Sequence, residues 1–327
     1  MKLQFSIIIP VYNRPQEVDE LLNSLTEQDF TEDFEIIVVE DGSEIKADKI
    51  VDSYKDKLNL KYFFKQNSGA GESRNFGMKN ASGNYFIIFD SDCLIPSHYL
   101  TEVHKTLSEN YTDAYGGADA AHESFTKIQK AINFSMTSFF TTGGIRGNKN
   151  SVNKFQPRSF NFGISKKAFE KVQGFSNMKI GEDIDLTFRL WKHHFETQFI
   201  ENAYVFHKRR TTLKQFFKQT FSFGKARPLL NKKYPETAKI TYWFPTLFIS
   251  SLGLALLLLF IHVNYFALIF GVYFLILFLS SAVINKSLTV AILSLLTTII
   301  QFFGYGLGFV KGLLSVNFGF NGKISMK

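Results

Sequence analysis

Residues 86–93 read FIIFDSDC, an apolar run, Phe86–Phe89, that drives straight into Asp90 and Asp92. Burying an unpaired carboxylate is costly, so the two acids belong where a buried strand emerges, beside a cationic partner. Working outward in both directions, the same kind of run recurs. Ser6–Val11, Phe34–Val39 and Leu60–Phe64 read as strands, and Tyr85–Phe89 as a fourth. Between them Pro15–Thr26 carries Val18, Leu21, Leu22 and Leu25 at helical spacing, Lys46–Tyr54 reads as a polar helix and Ala70–Asn80 as a third helix. This βαβαβαβ order predicts an α/β fold with a mostly parallel central sheet and helices on both faces. Ligands of such sheets lie beyond the carboxyl ends of the strands. Those ends are Pro10–Arg14, Glu40–Asp41, Lys65–Ser68 and Asp90–Asp92, and two of them carry paired acids. Further on, Ser165–Val172 and Asp183–His194 read as helices and Phe199–Phe206 as a strand; the stretch Tyr111–Phe155 has no clear period.

Charge divides the 327 residues unevenly. From His207 onward there are fourteen Lys or Arg and one acid, Glu236, so this part carries a net +13, against −5 for the first 206 residues. An acidic head argues against nucleic acid as a partner, and a basic stripe beside an apolar tail is a membrane-surface pattern. The tail holds three apolar stretches, Tyr242–His262, Tyr265–Ile284 and Leu288–Leu314, with Lys311 the one charge inside them. About 20 apolar residues cross the hydrocarbon layer, so these read as membrane segments. By the positive-inside tendency the preceding basic stripe, and the head with it, stays cytoplasmic at the plasma membrane. Thr211–Gly224 alternates Lys with Phe, which predicts a helix along the inner membrane face with Phe216, Phe217, Phe221 and Phe223 dipping in. Gly304 and Gly308 have the spacing of close helix contact, or mark a break. Three full spans would leave Lys323 and Lys327 outside; a re-entrant third segment would keep them inside. The resulting organisation is a catalytic domain over 1–206, an interfacial segment over 207–240 and a membrane domain over 241–327. The single cysteine, Cys93, excludes an intrachain disulfide and a zinc site of four thiolates.

Several residues carry candidate chemistry. Asp90 and Asp92, if extended, point to one side and can share a hard cation, Mg2+ or Mn2+, that grips phosphate oxygens. Asp-x-Asp is also a common solvated turn. Gly69-Ala70-Gly71 resembles part of a dinucleotide fingerprint, but Arg74 stands where its third glycine belongs, and Arg74 at a helix start suits a diphosphate. Gly181–Leu186 opens a helix with Glu182, Asp183 and Asp185, a cluster that Arg189 can brace; acids there suit the helix dipole, and Glu182 or Asp183 can also serve as a general base. His207, at a strand end, is a candidate metal ligand or a structural histidine.

Taken in order, SIIIPVYNRP, VVEDGS, NSGAGESRNFGMKNASGNYFIIFDSD, NFGISKKAFEKVQGF and GEDIDLTFRL resemble the motifs of a family 2 glycosyltransferase, over roughly residues 3–235. The resemblance implies a nucleotide-sugar-binding fold of the GT-A type and inverting transfer. It implies that Asp41 contacts the nucleobase, with Pro10 and Tyr12 lining that pocket and Arg74 near the diphosphate. Asp90 would touch the ribose or the metal, Asp92 and His207 would hold the metal, and Asp183 of the Glu182–Asp183 pair would be the base. Arg14, Glu40 and Ser91 stand with them at the strand ends as donor contacts. Glu40 occupies a position where relatives often have Asp. No Gln-x-x-Arg-Trp follows the Glu-Asp pair, so transfer of one sugar to a membrane-associated glycan or lipid acceptor, such as a polyprenyl-linked glycan, is expected rather than processive synthesis. The other readings are a non-catalytic membrane scaffold on the same fold, which would dispense with the acids, and an NAD-dependent oxidoreductase built on Gly69-Ala70-Gly71. Acceptor specificity is expected within Tyr111–Arg158, with Ser159 and Asn161 on the acceptor side.

Overall fold

The computed structural model describes residues 2–143 and 155–318; part of the expected specificity region and the C-terminal Lys323 and Lys327 lie outside the described residues. In chain order the strands are β1 (Phe5–Val11), β2 (Glu35–Asp41), β3 (Leu60–Lys65), β4 (Tyr85–Phe89), β5 (Cys93–Leu94), β6 (Ala114–Ala120), β7 (Asn161–Ser165) and β8 (Thr197–His207). The helices of the first half are α1 (Pro15–Thr26), α2 (Asp48–Ser53), α3 (Ala70–Lys79), α4 (Tyr99–Glu109), α5 (Lys127–Thr137) and α6 (Phe139–Thr142). Those of the second half are α7 (Lys166–Val172), α8 (Glu182–Lys192), α9 (Leu213–Lys233), α10 (Phe244–Leu259), α11 (Tyr265–Asn285) and α12 (Leu288–Phe318). Among the described residues, 2–122 and 155–208 form one compact unit, and 123–143 with 209–318 form another. The two interleave along the chain, where a linear reading divides it at 206 and 240.

The first unit is built on an eight-stranded sheet of order β3-β2-β1-β4-β7-β6-β8-β5. β1 pairs in parallel with β2 and β4, β2 with β3, and β6 with β8; β7 enters antiparallel between β4 and β6, and β5 runs antiparallel to β8. Both faces are covered, which is why the inner strands read as unbroken apolar runs rather than alternating ones. The period-2 geometry still sorts the side chains. Ile7 and Ile9 pack with Val18, Leu21, Leu22 and Leu25 of α1 and with Val103 and Leu107 of α4. Ile8 turns the other way, to Met78 of α3, Phe169 and Val172 of α7 and Leu186 and Leu190 of α8.

At the amino-terminal edge of this sheet, away from the strand ends that carry the acids, Glu35 ties three strands together. Its carboxylate accepts from Ser6 Oγ (2.6 Å), the Ser82 N–H (2.5 Å), the Gly83 N–H (3.2 Å) and Lys61 Nζ (2.7 Å). Burial alone would raise this carboxyl, but the Lys61 ammonium and the Ser6 and Ser82 bonds outweigh it and bring it down to about 2 from an ordinary 4.5. A depressed carboxyl stabilises the fold above the unfolded value and loses that contribution as pH falls toward the folded one. The wild-type melting temperature is therefore expected to drop between about pH 4.5 and 2, and Glu35→Gln to be less stable by about 2 kcal/mol at neutral pH with a shallower acid slope. Melting curves across that pH range check both; parallel acid slopes would exclude Glu35 as the clamp.

In the second unit three segments are long and apolar enough to cross a membrane: Ile240–Leu259, Tyr265–Asn285 and Leu288–Phe318. The glycines near the end of the third mark no break, because α12 runs as one helix of 31 residues. They form a seam against α9. A Cβ at Gly304 would lie 2.2 Å from Thr220 Oγ1, and one at Gly308 2.0 Å from the Phe221 carbonyl oxygen. On the α9 side, a Cβ at Gly224 would lie 2.0 Å from the Tyr305 carbonyl oxygen. Small residues let the two backbones approach. This corrects the expectation for α9: Phe216 is fully buried against Ile132 and Met136 of α5 rather than dipping into lipid. Helix α5 is held in turn by hydroxyls, Ser135 Oγ lying 2.6 Å from Thr297 Oγ1 and 3.1 Å from Thr298 Oγ1 of α12. Together with the packing of Ile132 and Met136 on Phe216, those bonds tie α5 to the apolar half.

Candidate functional site

The carboxyl ends of β1, β2 and β4 lie side by side, and the loops that leave them are cross-linked. After β1, Tyr12 is half exposed, whereas Pro10 is buried within the strand. Asn13 takes a left-handed φ of 53°, which Asn tolerates better than most residues. There its Oδ1 accepts from the N–H groups of Glu44 (2.8 Å) and Ile45 (3.1 Å), and its own N–H donates to Ser43 Oγ (2.7 Å). Gly42 sits at φ 72°, and a Cβ there would come within 2.6 Å of the Asn67 nitrogen, so the turn demands glycine.

Glu40 and Asp41 are consecutive on β2 and must face opposite ways. Asp41 faces the loop after β3, where its oxygens accept from Lys65 Nζ and from the N–H groups of Ser68 and Gly69, both at 2.9 Å. Burial would raise this carboxyl; those donors hold it below the usual range instead. Glu40 is fully buried and accepts from Ser43 Oγ, the Ala47 N–H (2.8 Å) and Tyr62 Oη (3.2 Å). It shapes the loop from beneath and presents no oxygen to a ligand, which corrects its expected place among the donor contacts.

Arg74 corrects a second expectation. It is 3% exposed, and its fork is occupied by two acids: Nη2 lies 2.6 Å from Asp90 Oδ1 and Nη1 3.2 Å from Glu182 Oε1, with Phe175 under the guanidinium at 5.1 Å. It joins acids from β4 and α8 rather than opening on a diphosphate. Burial and the neighbouring Asp183 charge push the Glu182 carboxyl up, and Arg74 offsets part of this. Arg189 braces Asp185 (2.9 Å) and the carbonyls of Val172 and Gly174, not Asp183.

Residues 90–92 form a turn rather than an extended strand, so the two carboxylates separate. Asp90 goes to Arg74. Asp92 meets Arg14 Nη1 at 2.6 Å and His207 Nε2 at 3.2 Å. Ser91 between them is buried. Burial would raise the Asp92 carboxyl, yet His207 and Arg14 hold it well below the ordinary range. The last residue of β8, His207, is brought here because β8 pairs antiparallel with β5, Cys93 opposite His207, and its ring stacks on Phe160 at 4.5 Å. Its Nδ1 is buried and has no hydrogen-bond partner among the described residues. Candidate ligand atoms of Asp92, Cys93 and His207 lie within 4.8 Å of one another. Burial pushes the Cys93 thiol well up, and its Sγ donates to the Phe160 carbonyl at 3.6 Å, so the hard donors in the cluster are a carboxylate and an imidazole. That set fits Mg2+ or Mn2+ completed by substrate oxygens better than a thiophilic metal. Asp90 stands outside this cluster.

Asp183, near the start of α8, has its Oδ1 on the Ile184 N–H (2.8 Å) and its Oδ2 3.7 Å from Arg158 Nη1. Arg158, Asn13 and Lys65 carry no assigned role in the sequence, although Asn13 and Lys65 lie within the strand ends and Arg158 closes the expected specificity region; their partners lie far along the chain, where local spacing does not reach. Asn161 is fully buried, accepting from Tyr99 Oη (2.6 Å) and donating to the Ala203 carbonyl (2.8 Å), so it does not line an acceptor surface.

The family model described as glycosyl transferase family 2 matches residues 6–173. Poly(ribitol-phosphate) beta-N-acetylglucosaminyltransferase TarS of Staphylococcus aureus is 40% identical over 114 residues, 34% of this chain and 20% of that protein, so the match spans about a fifth of its length. GalNAc(5)-diNAcBac-PP-undecaprenol beta-1,3-glucosyltransferase of Campylobacter jejuni is 26% identical over 72% of this chain and 74% of its own. Among solved structures, the mannosyltransferase PcManGT of Pyrobaculum calidifontis, in complex with GDP-Man and Mn2+, superposes with a TM-score of 0.61 at 16% identity, covering 96% of this chain and 88% of that one. TarS residues 1–349 give 0.50 at 22% identity, over 69% and 65%. These likenesses carry the GT-A fold.

Proposed function

The chain belongs to glycosyl transferase family 2, and from that premise we propose that it is a membrane-anchored, inverting glycosyltransferase. In this reading it takes one sugar from a nucleoside-diphosphate sugar, with Mg2+ or Mn2+ as cofactor, and passes it to a membrane-associated glycan or lipid. The observation that carries the reading is the bridge from Asp90 through Arg74 to Glu182. It couples Asp90, just after β4, to the Glu182–Asp183 pair, so that a donor held at one would have its anomeric carbon near the other. The Campylobacter relative, named for an undecaprenol-linked acceptor, and three segments able to span a bilayer support a lipid-linked acceptor. With three spans of α-helix and the basic residues before them, the head lies on the cytoplasmic side of the plasma membrane.

Each residue then has a task. Tyr12 offers an aromatic face for the base, with Asp41 contacting that base; Asp90 meets the ribose. Arg14, rather than Arg74, is the cation exposed enough to meet the diphosphate. Asp92 and His207 would hold the metal, which supplies a Lewis acid for the charge that develops on the departing nucleoside diphosphate. Asp183 accepts the proton of the acceptor hydroxyl as its oxygen bonds to the anomeric carbon, and the bond from that carbon to the diphosphate oxygen breaks. One displacement inverts the centre and needs no covalent intermediate on the protein. The test is release of nucleoside diphosphate by the detergent-solubilised chain, across a set of nucleotide sugars with extracted membrane lipid as acceptor. Lipid-dependent release from one of them is expected; release from none, with a folded protein, would leave the scaffold reading standing.

A further inference from the structure

Asp183 is pulled in two directions. An acid in the first turn of a helix tends to fold back onto the helix's own N–H groups, and its Oδ1 does so, accepting from Ile184 at 2.8 Å. A general base must instead present an oxygen outward. Oδ2 is turned toward Arg158, whose Nη1 is 3.7 Å away. That distance is too long for a hydrogen bond yet short enough for an ion pair. The carboxylate is thereby steered by charge while Oδ2 keeps its lone pairs for an incoming proton. The neighbouring acid is treated differently, since Arg74 binds Glu182 at 3.2 Å.

The mount of Arg158 is rigid. Its carbonyl accepts from the Asn161 N–H (3.0 Å), and Asn161 is locked in the core by Tyr99 Oη (2.6 Å) and by the carbonyls of Ala203 (2.8 Å) and Ala118 (3.3 Å). A buried asparagine on β7 thus fixes the backbone that aims a partly exposed guanidinium at the base. We propose that Arg158 is a positioning residue for Asp183, holding Oδ2 toward the acceptor hydroxyl without binding donor or acceptor itself. The inference rests on the glycosyltransferase reading above and adds to it a residue three positions before β7.

The experiment compares the full-length wild type, Arg158→Gln, Arg158→Lys and Arg158→Ala in detergent, with the nucleotide sugar and lipid acceptor that the wild type uses. Arg158→Gln is expected to lose about tenfold to a hundredfold in kcat, with KM for donor and acceptor and the melting temperature held. Arg158→Lys should recover most of that loss, and guanidinium ion added to Arg158→Ala should restore part of it. A general loosening of the fold would not respond to either. Unchanged kcat in Arg158→Gln overturns the proposal. So does a rise in acceptor KM alone, which would make Arg158 a binding residue for an anionic acceptor, and so does the failure of both lysine and guanidinium to restore activity. A wild type inactive on every nucleotide sugar would sink the parent reading instead.

Discussion

Asp183→Asn is expected to lower sugar transfer by about 10²- to 10⁴-fold, the range a positioned general base contributes, while nucleoside diphosphate still binds as in the wild type. The two effects separate because Asp183 lies on α8, contacting Arg158 and its own helix, whereas the candidate donor contacts come from β1, β2 and β4. Asparagine keeps the shape and the bond from Ile184 but cannot take a proton. The same substitution at Glu182 is expected to act differently, since that side chain is tied to Arg74, and its loss would loosen Asp90 as well. Single-turnover transfer alongside equilibrium binding of the diphosphate checks this. Wild-type transfer by Asp183→Asn would remove it as the base.

Asp92→Asn is expected to be as damaging by another route. Its carboxylate meets both Arg14 and His207, and it is the hard oxygen on which a divalent ion would depend. Without it the departing diphosphate loses several kcal/mol of stabilisation, about 10³-fold or more in rate, and cation-dependent nucleotide affinity is lost with it. The variant leaves His207 without its carboxylate and Arg14 without its closest one, so a melting curve must accompany the assay. A folded Asp92→Asn that turns over normally would contradict the assignment.

Much of this was legible in the sequence where burial on both faces wrote itself as apolar runs. Tyr85–Phe89 and Pro15–Thr26 begin and end where the pattern says. Strands β6 and β7 were not legible, and their glycines explain why. A Cβ at Gly117 would lie 1.7 Å from the Ala203 carbonyl oxygen, and one at Gly163 1.9 Å from the Tyr115 ring. Both strands use glycine for close approach, and glycine in a short run reads as a turn. Helix α4 carries an apolar face of Tyr99, Leu100, Val103 and Leu107 that periodicity could have found.

The acids of the site were equally visible as types, and their directions were not. Nothing near residue 74 says that its side chain meets residue 182, and nothing near Asp90 says that a turn parts it from Asp92. In the apolar half, the spacing of Gly304 and Gly308 suits either a close helix contact or a break, and the alternation of Lys with Phe in α9 hides the small residues Thr220 and Gly224 that make α9 the partner. Long-range pairing decides these directions, and local spacing does not encode it.

A cation held by Asp92 and His207 is tested by calorimetric titration of the solubilised full-length chain with the nucleotide sugar it uses, under saturating Mn2+ and again with the cation chelated. Tight binding is expected with Mn2+, with a large loss on chelation and the same loss in His207→Ala with the cation present. Equal affinity in the two conditions would contradict a cation held by Asp92 and His207.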